Sequence, residues 1–172
     1  MGPDRKISIV DYDPPWPEFF RCEAGQICAA LGERVLRLEH TGSTAVPGLA
    51  AKPIIDITLV VADSTNEAAY LPALEGAGYR LRIRELEWHE HRMFNSLDTD
   101  LNLHVFSIGC AEIDRILLFR EWLRTNSADR DLYARTKLEL ARRDWKSVDD
   151  YASAKTAAIE EILARARNPL YS

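Results

Sequence analysis

The chain has 172 residues, of which 47% are hydrophobic and 28% are charged, as is ordinary for a globular protein with a buried core. Its 22 basic and 27 acidic residues give a net charge of −5, which argues against broad nucleic-acid binding because that function needs a basic face. No apolar run approaches the roughly 20 residues that cross a membrane, and the N-terminus lacks the apolar core of a signal peptide. We therefore expect one cytoplasmic domain over residues 1–172, without a membrane partner.

The first predicted elements are a helix and two strands. Apolar residues recur at helical spacing after Trp16-Pro17, and Gly32 suits the end of that helix. Residues 35–39 alternate apolar and charged side chains, as a half-buried strand does. Residues 54–61 are almost continuously apolar, which indicates a central strand covered on both faces.

The middle of the chain is predicted to contain a helix and three strands, over residues 66–76, 79–85, 92–97 and 101–108. The three strands would form a meander beside the first two. Alternation predicts that Tyr79, Leu81 and Ile83 share one face of their strand. The pattern of residues 87–91 is typical of an exposed polar loop, and the alternative is a metal pair of His89 and His91, which would face one side of a strand.

From Glu112 onward the pattern is helical. A second helix is predicted around residues 132–141 and a third over 148–166, with Ser147 as its cap. Strands first and helices later, with one early helix, indicate an α+β domain. We expect a small mixed β-sheet with flanking helices and a helical C-terminal half.

The segment from Glu39 to Val61 combines two features that fit one pocket. Gly42 and Ser43 form a turn that can direct backbone N–H groups and a hydroxyl toward a phosphate. Asp56 lies in a run of β-branched residues, where its charge is costly without a partner such as a bound cation. The alternative is a Ser-capped helix followed by a strand whose Asp accepts backbone N–H bonds.

Four basic residues are candidates for binding an anion. Lys52 lies between the Gly-Ser turn and Asp56, where it either faces the anion or is a solvated surface charge. Lys137 and Lys155 each follow a tyrosine by four residues, so each Tyr and Lys share a helix face, either as packing with a surface charge or as ligand contacts. Arg92 can grip a phosphate bidentately or pair with a surface carboxylate.

Two histidines, His40 and His104, lie on predicted strands between apolar neighbours. They either share the pocket or serve as hydrogen-bonded core residues.

A long signature runs through residues 40–56, in the order His-x-Gly-Ser-Thr-x-Val-Pro-Gly-Leu-Ala-x-Lys-Pro-x-Ile-Asp. It resembles the GrpB family, and the resemblance covers nearly the whole chain. The other matching motifs are Val10-Asp11-Tyr12-Asp13, Trp16-Pro17-x-x-Phe20, Arg92-Met93-Phe94, Leu103-His104-Val105, Phe119-Arg120-x-Trp122-Leu123-Arg124, Tyr133-x-x-x-Lys137 and Tyr151-x-x-x-Lys155. The resemblance implies a nucleotidyltransferase-like fold. In some bacteria a similar domain is fused to dephospho-CoA kinase, which implies a link to nucleotide or coenzyme A metabolism.

The chain departs from the nucleotidyltransferase pattern at its carboxylates. Enzymes of that fold generally carry two carboxylates two residues apart on one strand, so that both face one metal. Here the residue two positions after Asp56 is Thr58, which offers a neutral oxygen. The neighbouring strand carries Asn102 and His104 where a third carboxylate is usual. The site therefore uses one metal, recruits a distant carboxylate or only binds its ligand. The candidates for a recruited carboxylate are Glu85, Glu87, Glu90 and Asp100.

These observations predict a nucleotidyltransferase-like enzyme that uses a Mg²⁺-nucleotide, with an unassigned acceptor. Asp56 would be the catalytic residue and the metal ligand. The phosphates would be held by Gly42, Ser43, Lys52 and Arg92, and the substrate pocket lined by His40, Thr58, His104, Lys137 and Lys155. The alternative is a non-catalytic nucleotide- or phosphometabolite-binding module, linked to coenzyme A metabolism.

Overall fold

The computed structural model describes residues 6–171, which form one five-stranded sheet and six α-helices. The strands are β1 Arg37–Thr41, β2 Ile55–Val61, β3 Tyr79–Glu85, β4 His91–Ser96 and β5 Leu101–Ser107. The helices are α1 Trp16–Leu31, α2 Leu71–Gly76, α3 Ala111–Thr125, α4 Ser127–Ala141, α5 Val148–Ala154 and α6 Thr156–Arg167. The predicted α+β class with a helical C-terminal half is confirmed.

The strand order is β1-β2-β5-β4-β3, so the meander of β3, β4 and β5 lies beside β1 and β2 as predicted. Only the β2–β5 pair is parallel in this sheet; the other three neighbouring pairs are antiparallel. β2 and β5 therefore begin at the same end of the sheet, with Asp56 opposite Asn102 and Thr58 opposite His104.

The two faces of the sheet have different environments. One face carries Ile57, Leu59 and Leu103, which belong to the main hydrophobic core with residues of α1 and α2. Because side chains alternate along a strand, Asp56 and Thr58 point to the other face, toward the helical half of the chain.

A β-bulge interrupts the pairing of β3 with β4 between Leu81 and Ile83. The prediction that Ile83 shares the face of Leu81 is wrong for this reason, since a bulge shifts the alternation by one residue. Leu81 joins the main core, whereas Ile83 pairs with Met93 and Glu85 pairs with His91, so both face the helical half.

The helices differ from the prediction mainly at their ends. The predicted helix over residues 66–76 is α-helical only from Leu71, after a 3₁₀ turn at Glu67–Ala69. The third C-terminal helix is divided at Lys155 into α5 and α6, while the Ser147 side chain accepts the Asp150 N–H as the predicted cap. No helix within residues 6–171 is long and apolar enough to cross a membrane.

Arg120 of α3 fixes the helical half to the edge of the sheet. Its Nη1 donates to Glu39 Oε2 at 2.7 Å and to the His40 carbonyl oxygen at 2.9 Å. Burial raises the pKa of Glu39, but hydrogen bonds from Arg120 and Arg37 outweigh this and hold that pKa below its usual value.

Replacing Arg120 by Leu should lower the free energy of unfolding by about 1–3 kcal/mol at pH 7, because Glu39 loses its best partner. Since the pKa of Glu39 is lowered on folding, its contribution is present above the unfolded value and is lost as pH falls through the folded one. The deficit should therefore shrink below about pH 4 in urea titrations. Arg135→Leu, at an exposed position on α4, is the control. An equal loss at both pH values would contradict this role of Glu39.

Candidate functional site

Two adjoining cavities lie between the polar face of the sheet and the C-terminal helices. The smaller measures about 110 Å³ and the larger about 520 Å³. Their shared lining is Ser43, Asp56, Asn102 and Lys155. The signature segment thus forms the boundary between them, and the site is built jointly by the sheet and the helical half.

Three lysines from separate elements line the smaller cavity: Lys52 before β2, Lys137 on α4 and Lys155 between α5 and α6. Lys137 is only 2% exposed, so the interpretation of this residue as a surface charge is wrong. Its ammonium donates to Ser43 Oγ at 2.9 Å and also contacts the Ala50 carbonyl oxygen. The cavity therefore concentrates positive charge beside the Gly-Ser turn.

Tyrosine rings support these ammonium groups. Lys137 Nζ lies 4.8 Å from the Tyr133 ring centroid, and Lys155 Nζ lies 4.8 Å from that of Tyr151. Each Tyr–Lys pair spaced by four residues is thus a cation–π contact, as its position on one helix face allows. Lys52 approaches the Tyr151 ring from 5.4 Å.

The hydroxyl of Tyr151 is buried without a hydrogen-bond partner, unlike the other buried side-chain polar atoms in the described part of the chain. Burial raises its pKa to about 12, so the hydroxyl keeps its proton near neutral pH. An orphaned buried hydroxyl is costly, and Tyr151 is one of the residues that line the smaller cavity. A ligand with an acceptor oxygen would satisfy it.

Burial and mutual repulsion lower the pKa values of two of the lysines. The pKa of Lys137 falls to about 7, first through burial and then through the charges of Lys155 and Lys52. The pKa of Lys155 falls to about 8, through burial and Lys52, against an opposing effect of Asp56. A bound polyanion would relieve this repulsion, so the smaller cavity is suited to binding one.

The Gly-Ser turn passes directly over the Asp56 carboxylate. Thr41 pairs with Asp56 across β1 and β2, and Gly42 follows with a φ of +71°. A Cβ at Gly42 would lie 2.5 Å from Asp56 Oδ2, so glycine is required by both the backbone angle and the close approach.

Asp56 Oδ1 receives a hydrogen bond from Asn102 Nδ2 at 3.2 Å and lies 3.3 Å from His104 Nε2. The neighbouring-strand position thus holds Asn102 and His104 beside Asp56, as predicted. Thr58 Oγ1 is hydrogen-bonded to Thr41 Oγ1 at 2.9 Å.

Glu85, one candidate for the second carboxylate, lines the larger cavity but binds His91 instead. Its Oε2 lies 2.6 Å from His91 Nδ1, and His91 Nε2 lies 3.0 Å from His104 Nδ1. Two imidazoles therefore separate Glu85 from Asp56. Within residues 6–171, no three His, Cys, Asp or Glu side chains come together as a metal site.

The prediction that His91 belongs to an exposed loop is wrong. The residue is 4% exposed and begins β4. The available signal was the alternation of His91, Met93 and Asn95, which share the face of His104.

The predicted pocket roles of His40 and Arg92 are wrong, because both side chains lie on the opposite face of the sheet. Thr41, next to His40, pairs with Asp56, and Met93, next to Arg92, pairs with His104. Thr41 and Met93 therefore face the cavities instead. His40 is hydrogen-bonded to Thr44 and stacks on a ring of α1. Arg92 donates to Glu67 Oε1 and to the Glu90 carbonyl oxygen, both at 2.7 Å.

Gly42→Ala should destabilise the fold by about 1–3 kcal/mol, because it adds both backbone strain and a clash with Asp56. Gly25→Ala is a matched control of opposite sign. Gly25 lies within α1 with open space around its Cα, so alanine there should stabilise by about 0.5–1 kcal/mol. Urea denaturation measures both variants, and similar effects at the two positions would contradict the close approach.

The unliganded protein should become more stable as pH rises from 7 toward 10. The folded pKa of Lys137 lies below its ordinary value of 10.5, so the unfolded chain binds more protons between these pH values and folding is favoured as pH increases. Lys137→Met should remove about half of this gain in thermal melts, Lys155 providing the rest. Lys146→Met, at an exposed position, should keep the full gain; an unchanged profile for Lys137→Met would exclude Lys137 as its source.

Comparison with known proteins gives consistent results. The family model described as GrpB protein matches residues 6–165. A UPF0157 protein of Halalkalibacterium halodurans is 57% identical over 160 residues, which cover 93% of this chain and 82% of that protein. The dephospho-CoA kinase of Mycobacterium bovis is 32% identical over 174 aligned residues, which cover 86% of this chain but 42% of the kinase.

Solved structures show the same relationship. The crystal structure of the conserved protein GrpB from Enterococcus faecalis superposes with a TM-score of 0.83 at 32% identity, covering 96% of this chain and 100% of that one. Cid1 in complex with ApU gives a TM-score of 0.55 at 13% identity over 78% of this chain and 43% of Cid1, a likeness of fold alone. The chain belongs to the GrpB family and has a nucleotidyltransferase-like fold.

Proposed function

We propose that the chain binds a nucleotide together with a divalent cation and transfers its nucleotidyl group to an acceptor. The observation that carries this proposal is the smaller cavity, where Lys52, Lys137 and Lys155 converge with Ser43 and the orphaned Tyr151 hydroxyl. Three ammonium groups and two hydroxyls match the several negative charges and acceptor oxygens of a polyphosphate. At about 110 Å³ the cavity suits phosphate groups and leaves no room for a nucleoside.

The larger cavity supplies space for the ring system of the base or the acceptor. Its volume of about 520 Å³ is typical of small-molecule sites. Trp88, Phe106 and Phe119 contribute aromatic walls, and Ser43 and Asp56 stand at the boundary with the smaller cavity. A nucleotide that extends across this boundary would place its phosphates near Asp56.

The donor set at Asp56 fits a cation that is also held by phosphate oxygens. Divalent ions in such sites are bound by one or two carboxylates together with the phosphates, and Asp56 is one carboxylate that is 31% exposed. A bound cation would neutralise charge on the phosphate oxygens. The lysines would hold the leaving phosphates, and Gly42 would keep the backbone close to Asp56.

One observation favours a second candidate, a non-catalytic module that binds a nucleotide or phosphometabolite. Thr58 occupies the place of the second carboxylate and is hydrogen-bonded to Thr41, while Glu85 is bound to His91. The similarity to part of dephospho-CoA kinase suggests a coenzyme A-related phosphometabolite as the ligand.

Nucleoside triphosphates with a divalent cation should raise the melting temperature of the protein. Ligand at about 100 times its Kd adds about 2.7 kcal/mol, which corresponds to about 5–10 °C for a chain of this size. Lys137→Met and Ser43→Ala should each reduce the shift by more than half, because each removes a phosphate contact. Lys146→Met keeps the net charge equal to that of Lys137→Met and should retain the full shift.

Pyrophosphate release then separates the two candidates. Release that depends on nucleotide and cation and is abolished by Asp56→Asn supports transfer. A nucleotide-induced shift without pyrophosphate release from any nucleotide supports the binding module. The absence of a shift with nucleotides, with coenzyme A-related phosphometabolites and with inorganic tripolyphosphate would contradict both.

A further inference from the structure

We infer that His104 Nε2 is a second protein ligand of the cation at Asp56, so that the site prefers a transition-metal ion such as Mn²⁺ over Mg²⁺. This inference rests on the proposed function, since it concerns the same cation. It does not depend on which nucleotide is used or on whether transfer occurs.

The two proposed ligand atoms are separated by the distance that a shared cation requires. His104 Nε2 and Asp56 Oδ1 are 3.3 Å apart, which is long for a charge-assisted hydrogen bond. Two ligands at about 2.1 Å from one ion, at angles of about 90–110°, are about 3.0–3.4 Å apart. The observed separation therefore matches two ligands of one cation.

The ring protons of the two histidines also fit a cation at His104 Nε2. The series Glu85–His91–His104–Asp56 contains three contacts, and an imidazole that binds a cation through Nε2 carries its proton on Nδ1. The Glu85 carboxylate accepts from His91 Nδ1, which makes His91 Nε2 an acceptor for the Nδ1 proton of His104. His104 Nε2 then carries a lone pair directed at Asp56 Oδ1, and a cation bound by both atoms would satisfy them.

The surroundings of His91 agree with this arrangement. A metal-bound histidine commonly donates its other ring N–H to an acceptor that fixes the tautomer and ring orientation. His91 takes this position, and its ring lies nearly parallel to that of His104 at 5.2 Å.

Asn102 contributes orientation instead of a ligand. Its Oδ1 accepts from Asn95 Nδ2 at 2.8 Å, which directs its own NH₂ group to Asp56 Oδ1. The protein therefore offers one carboxylate and one imidazole to the ion. Mg²⁺ prefers oxygen ligands, whereas Mn²⁺ and later transition metals accept imidazole, so the ligand set favours the latter.

Mn²⁺ binding to the unliganded protein tests the inference directly. In a titration followed by the electron paramagnetic resonance signal of free Mn²⁺, we expect one site that a tenfold excess of Mg²⁺ does not displace. Pulsed measurements should show modulation from a directly bound ¹⁴N nucleus. Bound Mn²⁺ without ¹⁴N modulation, or displacement by equimolar Mg²⁺, would overturn the inference.

Variants locate the nitrogen. His104→Ala should weaken Mn²⁺ binding at least tenfold and remove the ¹⁴N modulation, and His91→Phe, which keeps a ring against His104, should weaken binding about tenfold. His89→Asn is the control, because His89 lies next to this series but its ring approaches Glu112. Full Mn²⁺ affinity in folded His104→Ala would overturn the inference.

Thermal shift with nucleotides distinguishes failure of the inference about His104 from failure of the proposed function. A nucleotide-induced shift that is equal with Mg²⁺ and Mn²⁺ and unaffected by His104→Ala would overturn the inference and leave the proposed function standing. Specific Mn²⁺ binding through ¹⁴N without any nucleotide-induced shift would support the inference and contradict the proposed function.

Discussion

The parallel pairing of β2 with β5 is the constraint on which the site depends. It places Asp56 opposite Asn102 and Thr58 opposite His104, and the alternation of side chains then sends all four toward the helical half. The opposite face of the same strands is filled by the main hydrophobic core, so the register cannot slip by one residue without burying charge. The free energy that stabilises the core thus also determines which polar side chains meet at the cavities.

The lysine cluster opposes this stability. Three cations held close together beside one carboxylate are unfavourable without a ligand, and burial together with this repulsion lowers the pKa values of Lys137 and Lys155. The packing that holds Lys137 comes from elsewhere: Asp129 at the start of α4 accepts hydrogen bonds from Trp122 of α3 and Arg165 of α6. The paired charge of Asp129 therefore fixes the helical half, while the lysines face the smaller cavity.

The sequence was sufficient to predict most of the secondary-structure elements and several of the residues that line the cavities. Local periodicity predicted the five strands, the meander and the early helix, and the signature contains Gly42, Ser43, Lys52 and Asp56, which line the two cavities. Register was not available from local pattern. His40 and Arg92 are each one residue from a side chain that does face the cavities, and a single sequence contains no information on which neighbour is paired with Asp56 or His104. The burial of Lys137 depends on how α4 docks against the Gly-Ser turn, which is a tertiary contact between residues far apart in sequence.

The bulge in β3 makes this strand one residue longer than its pairing with β4 requires. Loss of Arg82 would leave a regular ladder with Leu81, Ile83 and Glu85 on the faces they now occupy. Loss of a residue between the bulge and the turn that connects β3 to β4 would instead reverse the side-chain orientation of the β3 residues from that point to the turn. Homologous chains can therefore vary in length at Arg82 without altering the larger cavity, whereas a deletion next to Glu85 would separate that carboxylate from His91.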